Sequence, residues 1–220
     1  MPILSTLIDA KRQTDVIVVI DAFRASNTII ELLANGAERV VPVRDEDVAR
    51  GLKDAHPDWL LLGERRGRKL AGFDGDNSPS NLPDGVAGRV VILSTSNGTR
   101  IIDACLPENL VLIGSFSNAS AIIEAIRASG CDVPSFWAVG LIDGKYAEED
   151  MLCARYLAAL YAGFAPDAAL FREEALTCSG ATRLRGLNLD ADLDLCTQID
   201  RRTIVPRRSA WIDGLTCLTA

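Results

Sequence analysis

The feature that most constrains the fold is the alternation of short aliphatic runs with amphipathic segments. Runs rich in Val, Ile and Leu lie at residues 16–20, 39–43, 59–63, 89–94, 110–115 and 135–140. Most are followed by a short polar stretch and then by apolar residues spaced three and four apart, which indicates a helix. Continuous aliphatic strands are typical of a sheet that is buried on both faces. The sequence therefore predicts a three-layer α/β fold, whose largely parallel or mixed sheet is covered by helices on both faces.

The C-terminal part is less regular. Residues 167–187 predict a helix followed by a basic turn, residues 190–201 a short acidic helix, and residues 211–220 a final strand. A chain of 220 residues is long enough to bury one good core. We therefore expect one α/β domain over residues 1–220, in which the part after about residue 165 could form a smaller C-terminal subdomain.

Composition narrows the classes of function. The net charge of −7 disfavours a protein that binds nucleic acid by neutralising phosphates. No apolar run approaches the roughly 18 residues that a transmembrane helix needs, and the N-terminus lacks the features of a signal peptide. The six cysteines are scattered without a Cys-x-x-Cys pair, which favours reduced thiols in a cytoplasmic protein. We expect no nucleic-acid or membrane partner, and a homodimer only from its general frequency.

The single histidine, His56, restricts the chemistry further. A metal site with two histidines is impossible, and a Ser-His-Asp or Cys-His catalytic unit is disfavoured, because His56 lies in a polar segment before Pro57. Hydrolytic chemistry in this chain would therefore depend on carboxylates and a hard metal ion.

Polar residues follow several of the aliphatic runs directly. Asp21 and Arg24 come after the run at 16–20, and related Ser-Asn pairs stand at 26–27, 96–97 and 117–118. Ser and Asn are good helix N-caps, so each pair alone predicts only a helix start. Several helix starts at the same sheet edge would, however, direct free amides into one crevice, where an anion is stabilised.

The segment LLGERRGRKLAGFDGDNSPS at 61–80 holds the densest polar group. Asp74, Asp76 and Asn77 offer oxygen ligands of the kind that magnesium accepts, although a solvated loop explains them about equally well. Further along, Glu148, Glu149 and Asp150 open a helix, where acids ordinarily complement the helix dipole. The chain has no P-loop or dinucleotide fingerprint. It also has Phe23 where an aspartyl-phosphate phosphatase of the haloacid dehalogenase type needs a second aspartate.

The ordered series DAFRASNT, GERRG, GFDGDNSPS, STSNGT, GSFSNAS and EED resembles the motifs of the 2-phosphosulfolactate phosphatases over roughly residues 15–160. The resemblance implies an α/β enzyme that uses Mg²⁺ to hydrolyse 2-phosphosulfolactate to 3-sulfolactate and phosphate. This small anionic phosphate ester lies on the route to coenzyme M.

Carried over motif by motif, the resemblance implies three groups of site residues. The expected catalytic residues are Asp21, Arg24, Glu64, Arg65 and Glu149. The expected substrate-binding residues are Asn77, Ser78, Ser96, Asn97, Gly98, Thr99, Ser115 and Asn118. The expected Mg²⁺ ligands are drawn from Asp21, Glu64, Asp74, Glu149 and Asp150, while Arg24 and Arg65 would neutralise phosphate and sulfonate.

Several alternatives stay open at this point. Attack by water and a covalent phosphoryl group on Asp21 both fit the residues. The substrate could be another small acidic phosphate ester. The chain could also be a regulatory module that binds anions without turnover, although three acids at the mouth of the site disfavour that interpretation.

Overall fold

The computed structural model describes residues 3–4, 14–95, 98–140, 147–212 and 214–220. The strands are β1 (Ile3–Leu4), β2 (Val16–Ile20), β3 (Arg39–Val43), β4 (Leu60–Arg65), β5 (Arg68–Lys69), β6 (Val90–Ser94), β7 (Leu110–Ile113), β8 (Ser135–Ala138), β9 (Arg207–Ile212) and β10 (Leu215–Thr219). The helices are α1 (Ala25–Ala34), α2 (Glu46–Ala55), α3 (Gly98–Ala104), α4 (Ala119–Ala128), α5 (Glu148–Tyr161), α6 (Ala168–Thr177), α7 (Ser179–Gly186) and α8 (Asp190–Cys196). A short 3-10 helix, Phe116–Asn118, precedes α4.

The described strands form a mixed sheet in the order β1-β8-β2-β7-β9-β10-β3-β6-β4-β5. One parallel group contains β1, β8, β2 and β7, and a second contains β3, β6 and β4. The antiparallel hairpin β9–β10 joins the groups, because Arg207 pairs with Leu112 of β7 and Leu218 pairs with Val40 of β3. The prediction of a largely parallel or mixed sheet is therefore confirmed.

Three apolar clusters explain how helices cover both faces of the sheet. Alternate residues of β2, such as Ile17 and Val19, share a cluster with β4, β6, α1 and α3. The opposite face of β2, including Val18, packs against α4 to α8. The outer face of β3, β4 and β6 packs against α2 through Leu52. Helices α1 and α3 therefore cover one face of both parallel groups, and the α/β prediction with helices on both faces is confirmed.

Most predicted elements of the first 165 residues form within a few residues of their expected positions, because buried aliphatic strands and amphipathic helices have strong local patterns. The basic turn expected in 167–187 is wrong, since α7 forms there and packs Ala181 and Leu184 into the core. The expected final strand is divided between β9 and β10, with Gly214 at a φ of 77° in the turn.

Helices α6, α7 and α8 contribute Ala175, Leu184 and Leu193 to the cluster that also contains Val18 of β2. The division of the chain into one domain with a C-terminal subdomain stays a prediction. Of the helices in the described ranges, none has both the length and the apolar character that crossing a bilayer requires.

Candidate active site

A polar pocket lies where β2, β4 and β6 reach their C-terminal ends. Its lining residues are Asp21, Phe23, Arg24, Glu64, Gly67, Asn77, Thr95, Arg183, Leu184 and Leu187. The cavity volume is about 50 Å³. One water molecule needs at least about 10 to 15 Å³ on this measure, so the enclosed part accepts only a few water-sized groups.

Asp21 is fixed at the junction between β2 and α1. Its backbone N–H donates to Ser26 Oγ and its carbonyl accepts from the Ser26 N–H, both at 2.9 Å. The Ala25 N–H donates to Asp21 Oδ1 at 3.4 Å. Burial raises the pKa of the Asp21 carboxyl to about 6; the Ala25 amide and Arg183 oppose this rise, and the charges of Glu64 and Glu149 add to it. Asp21 therefore lies in a site with an excess of negative charge.

Glu64 stands near the end of β4, and the tight turn that follows holds its carboxylate. The Gly67 N–H donates to Glu64 Oε2 at 2.7 Å. Gly67 adopts a φ of 79°, and a Cβ atom there would overlap with Leu187 of the pocket wall. The positive φ therefore favours glycine in this turn, and Leu187, which directly follows α7, packs closely against it.

Arg24 lies on the floor of the pocket, where its guanidinium is paired with a carboxylate from α8. Its Nη1 donates to Asp192 Oδ2 at 2.7 Å and lies 3.6 Å from Asp76 Oδ2, while Nη2 donates to the Gly67 carbonyl at 3.3 Å. The side chains of Arg24 and Asp192 are 2% and 1% exposed. Because a buried charge needs a partner, Asp192 determines where this cation lies.

Asp192 also fixes the loop after β5. Its Oδ1 accepts from Ser78 Oγ and Ser80 Oγ, both at 2.6 Å, and from the Ser80 N–H at 3.1 Å. Ser78 is therefore bound to Asp192, next to the site, and holds the loop that carries Asn77. The carboxylate of Asp76 has a raised pKa, chiefly because of burial, which Arg24 opposes.

The first turn of α5 supplies two further acids. Asp150 accepts from the Ala22 N–H at 2.7 Å and from the Gly140 N–H at 3.0 Å, so both of its oxygens bind the ends of neighbouring strands. Burial raises its pKa well above the usual value, and the charges of Asp21 and Glu149 add to the rise. Asp150 therefore positions the backbone around Asp21.

Glu149 is buried against α7. Arg183 Nη2 donates to Glu149 Oε1 at 3.2 Å and to the Phe23 carbonyl at 3.4 Å. Burial raises the pKa of Glu149, and Arg183 opposes this effect. Gly180 packs directly on the Glu149 carboxyl group, and a Cβ atom at this position would overlap with it. Helix α7 thus brings a cation between the acids of β2 and α5.

The donor set of the pocket fits a hard divalent cation. Asp21 and Glu64 contribute carboxylates, and Asn77 Oδ1 is buried without a hydrogen-bond partner. No three carboxylate, thiol or imidazole side chains converge as a metal cage in the described ranges. Magnesium commonly uses one or two carboxylates and keeps several waters or substrate oxygens, so it fits where a structural zinc ion does not.

The structure brings several of the expected residues together. Asp21, Arg24, Glu64 and Asn77 line the pocket, and Glu149, Asp150 and Ser78 surround it. Gly98 lies against Asp21, with its ideal Cβ position 3.5 Å from Oδ2. Thr99 and Gly98 border a second, smaller cavity of about 10 Å³ that shares Asp21 with the main pocket.

Other expected residues are used elsewhere. The Arg65 guanidinium donates to the carbonyls of Glu64 and Arg44 at 2.7 and 2.9 Å, outside the pocket lining. Asp74 accepts from the Leu61 N–H at 2.8 Å and from Lys53 Nζ at 3.2 Å, so the structure does not bring it to the other acids. Arg65 and Asp74 therefore hold the strands around the site.

Ser115 and Asn118 form part of a buried hydrogen-bond network beneath α1. Asn118 accepts from the Ser115 N–H at 2.9 Å and donates to the Ile113 carbonyl at 3.2 Å, while Ser115 Oγ accepts from Asn27 at 2.8 Å. The amides at the start of α4 are also engaged, because the Ser120 N–H donates to Asp200 at 2.6 Å. The Asp200 carboxylate thus accepts a hydrogen bond at the start of α4, where the sequence predicts amides that bind a substrate anion. The expected site residues Ser96 and Asn97 lie outside the described residues.

Sequence reasoning missed Arg183 and Asp192. Both lie in the C-terminal part, where the sequence pattern is less regular and predicts a turn at Arg183. A helical signal was present, because Ala181, Leu184 and Leu187 are spaced three apart and form one apolar face. Nothing local distinguishes Asp192 from the other acids of α8.

A pocket of carboxylates and guanidinium groups at the ends of strands is typical of an α/β enzyme for a small anionic molecule. A family model described as 2-phosphosulpholactate phosphatase matches residues 3–210. The chain therefore belongs to the 2-phosphosulfolactate phosphatase family, which consists of phosphoric monoester hydrolases.

Similar proteins carry the same description along most of their length. A probable 2-phosphosulfolactate phosphatase of Caldicellulosiruptor saccharolyticus is 35% identical over 207 residues, which cover 83% of this chain and 84% of the relative. A protein of the same description from Prochlorococcus marinus MIT 9313 is 34% identical over 219 residues, covering 88% and 89%. Another from Synechococcus sp. WH7803 is 36% identical over 217 residues, covering 89% and 87%.

Proposed function

We propose that this protein hydrolyses 2-phosphosulfolactate to 3-sulfolactate and phosphate in a reaction that requires Mg²⁺. One observation carries the proposal: in a member of this family, Asp21 and Glu64 share one pocket with the guanidinium groups of Arg24 and Arg183. The relatives named as probable 2-phosphosulfolactate phosphatases support the substrate.

The charges of the substrate explain why both signs meet in the pocket. A phosphate monoester carries about −1.5 to −2 at pH 7, and the carboxylate and the sulfonate of this substrate each add one further negative charge. The guanidinium group of an arginine side chain binds such oxyanions by charge-assisted hydrogen bonds, often two in parallel. Acids in the same pocket would repel the substrate unless a cation lies between them, so Asp21 and Glu64 require a metal ion for binding.

Asp21 and Glu64 would hold Mg²⁺, with the unpartnered Asn77 Oδ1 as a further oxygen donor. When bound, the ion supplies positive charge that stabilises the phosphoryl oxygens during transfer. Arg24, fixed by Asp192, neutralises the same oxygens from the floor of the pocket. Phosphoryl transfer depends chiefly on positioning and charge neutralisation, which these residues provide without histidine.

The test measures phosphate release from 2-phosphosulfolactate with Mg²⁺, with chelator, and with chelator followed by excess Mg²⁺. The variant Asp21→Asn removes a pocket carboxylate, and Asp74→Asn is the matched control because this acid lies outside the pocket lining. We expect chelator to abolish turnover, Mg²⁺ to restore it, and Asp21→Asn to lower it by at least about 100-fold, while Asp74→Asn keeps most of it.

Turnover that persists in chelator would refute the metal requirement. Equal losses in Asp21→Asn and Asp74→Asn would refute the assigned pocket, and turnover of other phosphate esters in place of 2-phosphosulfolactate would refute the substrate. Trapping of a phosphoryl group on Asp21 distinguishes covalent catalysis from attack by water. A role on the route to coenzyme M, a cytoplasmic location, the lack of nucleic-acid binding and a homodimer stay predictions.

A further inference from the structure

The two guanidinium groups in the described pocket lining differ in how fully they are engaged. The Arg24 side chain is 2% exposed and is bound by Asp192 and the Gly67 carbonyl. The Arg183 side chain is 47% exposed, and both of its hydrogen bonds, at 3.2 and 3.4 Å, start from Nη2. Within the described ranges, Nε and Nη1 of Arg183 have no acceptor, so this cation has donors available at the rim.

We propose that Arg183 binds the sulfonate of the substrate and thereby determines the preference for a sulfonated phosphate ester. This inference rests on the proposed function, because it assigns one of the two anionic groups that this substrate carries besides the phosphate; the comparison with 2-phospholactate, which keeps the carboxylate, tests the sulfonate alone. Arg183 is a residue that neither the motifs nor the comparisons assign.

The positions of the charges argue for the sulfonate rather than the phosphoryl group. The acids Asp21 and Glu64 and the buried Arg24 form the inner part of the site, where the phosphoryl group would be held. In phosphoryl transfer the attacking and leaving oxygens lie roughly in line with phosphorus. A nucleophile on the inner side of the site, whether water or Asp21, therefore directs the leaving sulfolactate toward the rim, where Arg183 lies.

Helix α7 holds Arg183 in a geometry suited to this role. Nη2 is tied to the Phe23 carbonyl and to Glu149, which restricts rotation of the guanidinium plane. Within the described ranges, the N–H groups of Nη1 are then left for an oxyanion, which can accept charge-assisted hydrogen bonds from this end of the guanidinium. Leu184 and Leu187 of the same wall offer apolar surface and no competing charge.

The experiment compares 2-phosphosulfolactate with 2-phospholactate, which has hydrogen in place of the sulfonate. Both substrates are assayed with Mg²⁺ in the wild type, Arg183→Gln, Arg183→Lys and Arg185→Gln. Arg185 is the matched control, because it lies on α7 but donates to the Leu176 carbonyl at the surface. Thermal melts verify that each variant folds, and calorimetry measures binding of the product 3-sulfolactate.

We expect Arg183→Gln to raise KM for 2-phosphosulfolactate by roughly 10- to 100-fold, the range for one charge-assisted interaction, with kcat much less affected. KM for 2-phospholactate should change by less than about threefold, so the preference for the sulfonated substrate disappears. Arg183→Lys should restore part of the preference, since it keeps the charge but loses the planar guanidinium donors. Arg185→Gln should match the wild type.

Equal losses on both substrates, or no loss on either, would overturn the inference while leaving the proposed function intact. A wild type that turns over neither substrate would instead overturn the proposed function. In that case the calorimetry tests sulfonate binding by Arg183 separately. The inference holds only if the wild type and Arg185→Gln bind 3-sulfolactate and Arg183→Gln does not.

Discussion

Replacing Asp192 by asparagine tests whether this buried carboxylate holds the floor of the pocket. The substitution keeps the size of the side chain and removes its charge, so the buried Arg24 loses its carboxylate partner at 2.7 Å and keeps the Gly67 carbonyl, at 3.3 Å, and the carboxylate of Asp76, at 3.6 Å. Breaking a buried ion pair on one side costs about 3 to 5 kcal/mol, because it leaves an uncompensated charge. Since Asp76 remains nearby, we expect a loss of about 3 kcal/mol in the free energy of unfolding.

This loss is large for a protein whose total stability is expected to be about 5 to 15 kcal/mol. For a chain of this size, 1 kcal/mol corresponds to roughly 2 to 4 °C in melting temperature, so Asp192→Asn should lower Tm by about 6 to 12 °C. Urea unfolding, in which a shift of the midpoint at constant slope reports stability alone, gives the free energy directly.

Asp194→Asn is the matched control on the same helix. Its carboxylate is 63% exposed and pairs with Arg172 at 2.7 Å, and exposed pairs of this kind contribute about 0 to 1 kcal/mol. The double variant Arg24→Met/Asp192→Asn should be less destabilised than Asp192→Asn, because no buried charge remains unpaired. If Asp192→Asn costs no more than Asp194→Asn, the assignment of Asp192 as the partner that positions Arg24 is wrong.

Two further predictions concern α7 and the acids of the site. Gly180→Ala should destabilise the protein by about 1 to 3 kcal/mol in urea unfolding and lower phosphatase activity, because the added methyl group overlaps with the buried Glu149 carboxyl group. The control Gly186→Ala places its methyl group in open space on the same helix and should be neutral or stabilising. Similar effects of the two substitutions would contradict this packing. The Asp21 carboxyl has a pKa of 3.8 in the unfolded chain and of about 6 in the native state. In chelator, the native state should therefore bind more protons than the unfolded chain between these two pH values. The free energy of unfolding of the wild type should then fall relative to that of Asp21→Asn as pH rises through this range. Thermal melts from pH 4 to 7 measure the difference between the two proteins, and a difference that does not change with pH would contradict the burial of an ionisable Asp21.

Local patterns predict most of the sheet but not how its two parallel groups are joined. The run at Val16–Ile20 has no polar interruption, which already indicates a strand buried on both faces. The hairpin β9–β10 connects the groups through pairing of Arg207 with Leu112 and of Leu218 with Val40, positions far apart in sequence. Register between distant strands depends on tertiary packing, so no local pattern specifies it.

The same distinction explains which site residues the sequence predicts. Asp21 and Arg24 directly follow a buried strand, and strand polarity alone places them at the edge where ligands bind. Ser115 and Asn118 stand at an equivalent junction, yet they bond to Asn27 and to neighbouring backbone, because buried polar groups must find partners in the core. A polar residue after a strand thus indicates a candidate site but does not decide between a ligand and an internal partner.

Asp192 and Arg183 show how the C-terminal helices complete a site whose motifs all lie earlier in the chain. Asp192 neutralises the cation next to Asp21, and Arg183 neutralises the acids at the start of α5 while keeping donors free at the rim. Because each of these charges is buried or partly buried, neither half of the site is stable in this arrangement without the other. If Arg183 binds the sulfonate as proposed, changes in α7 alter which anion is bound, whereas changes at Asp192 of α8 displace Arg24 and affect the phosphoryl group.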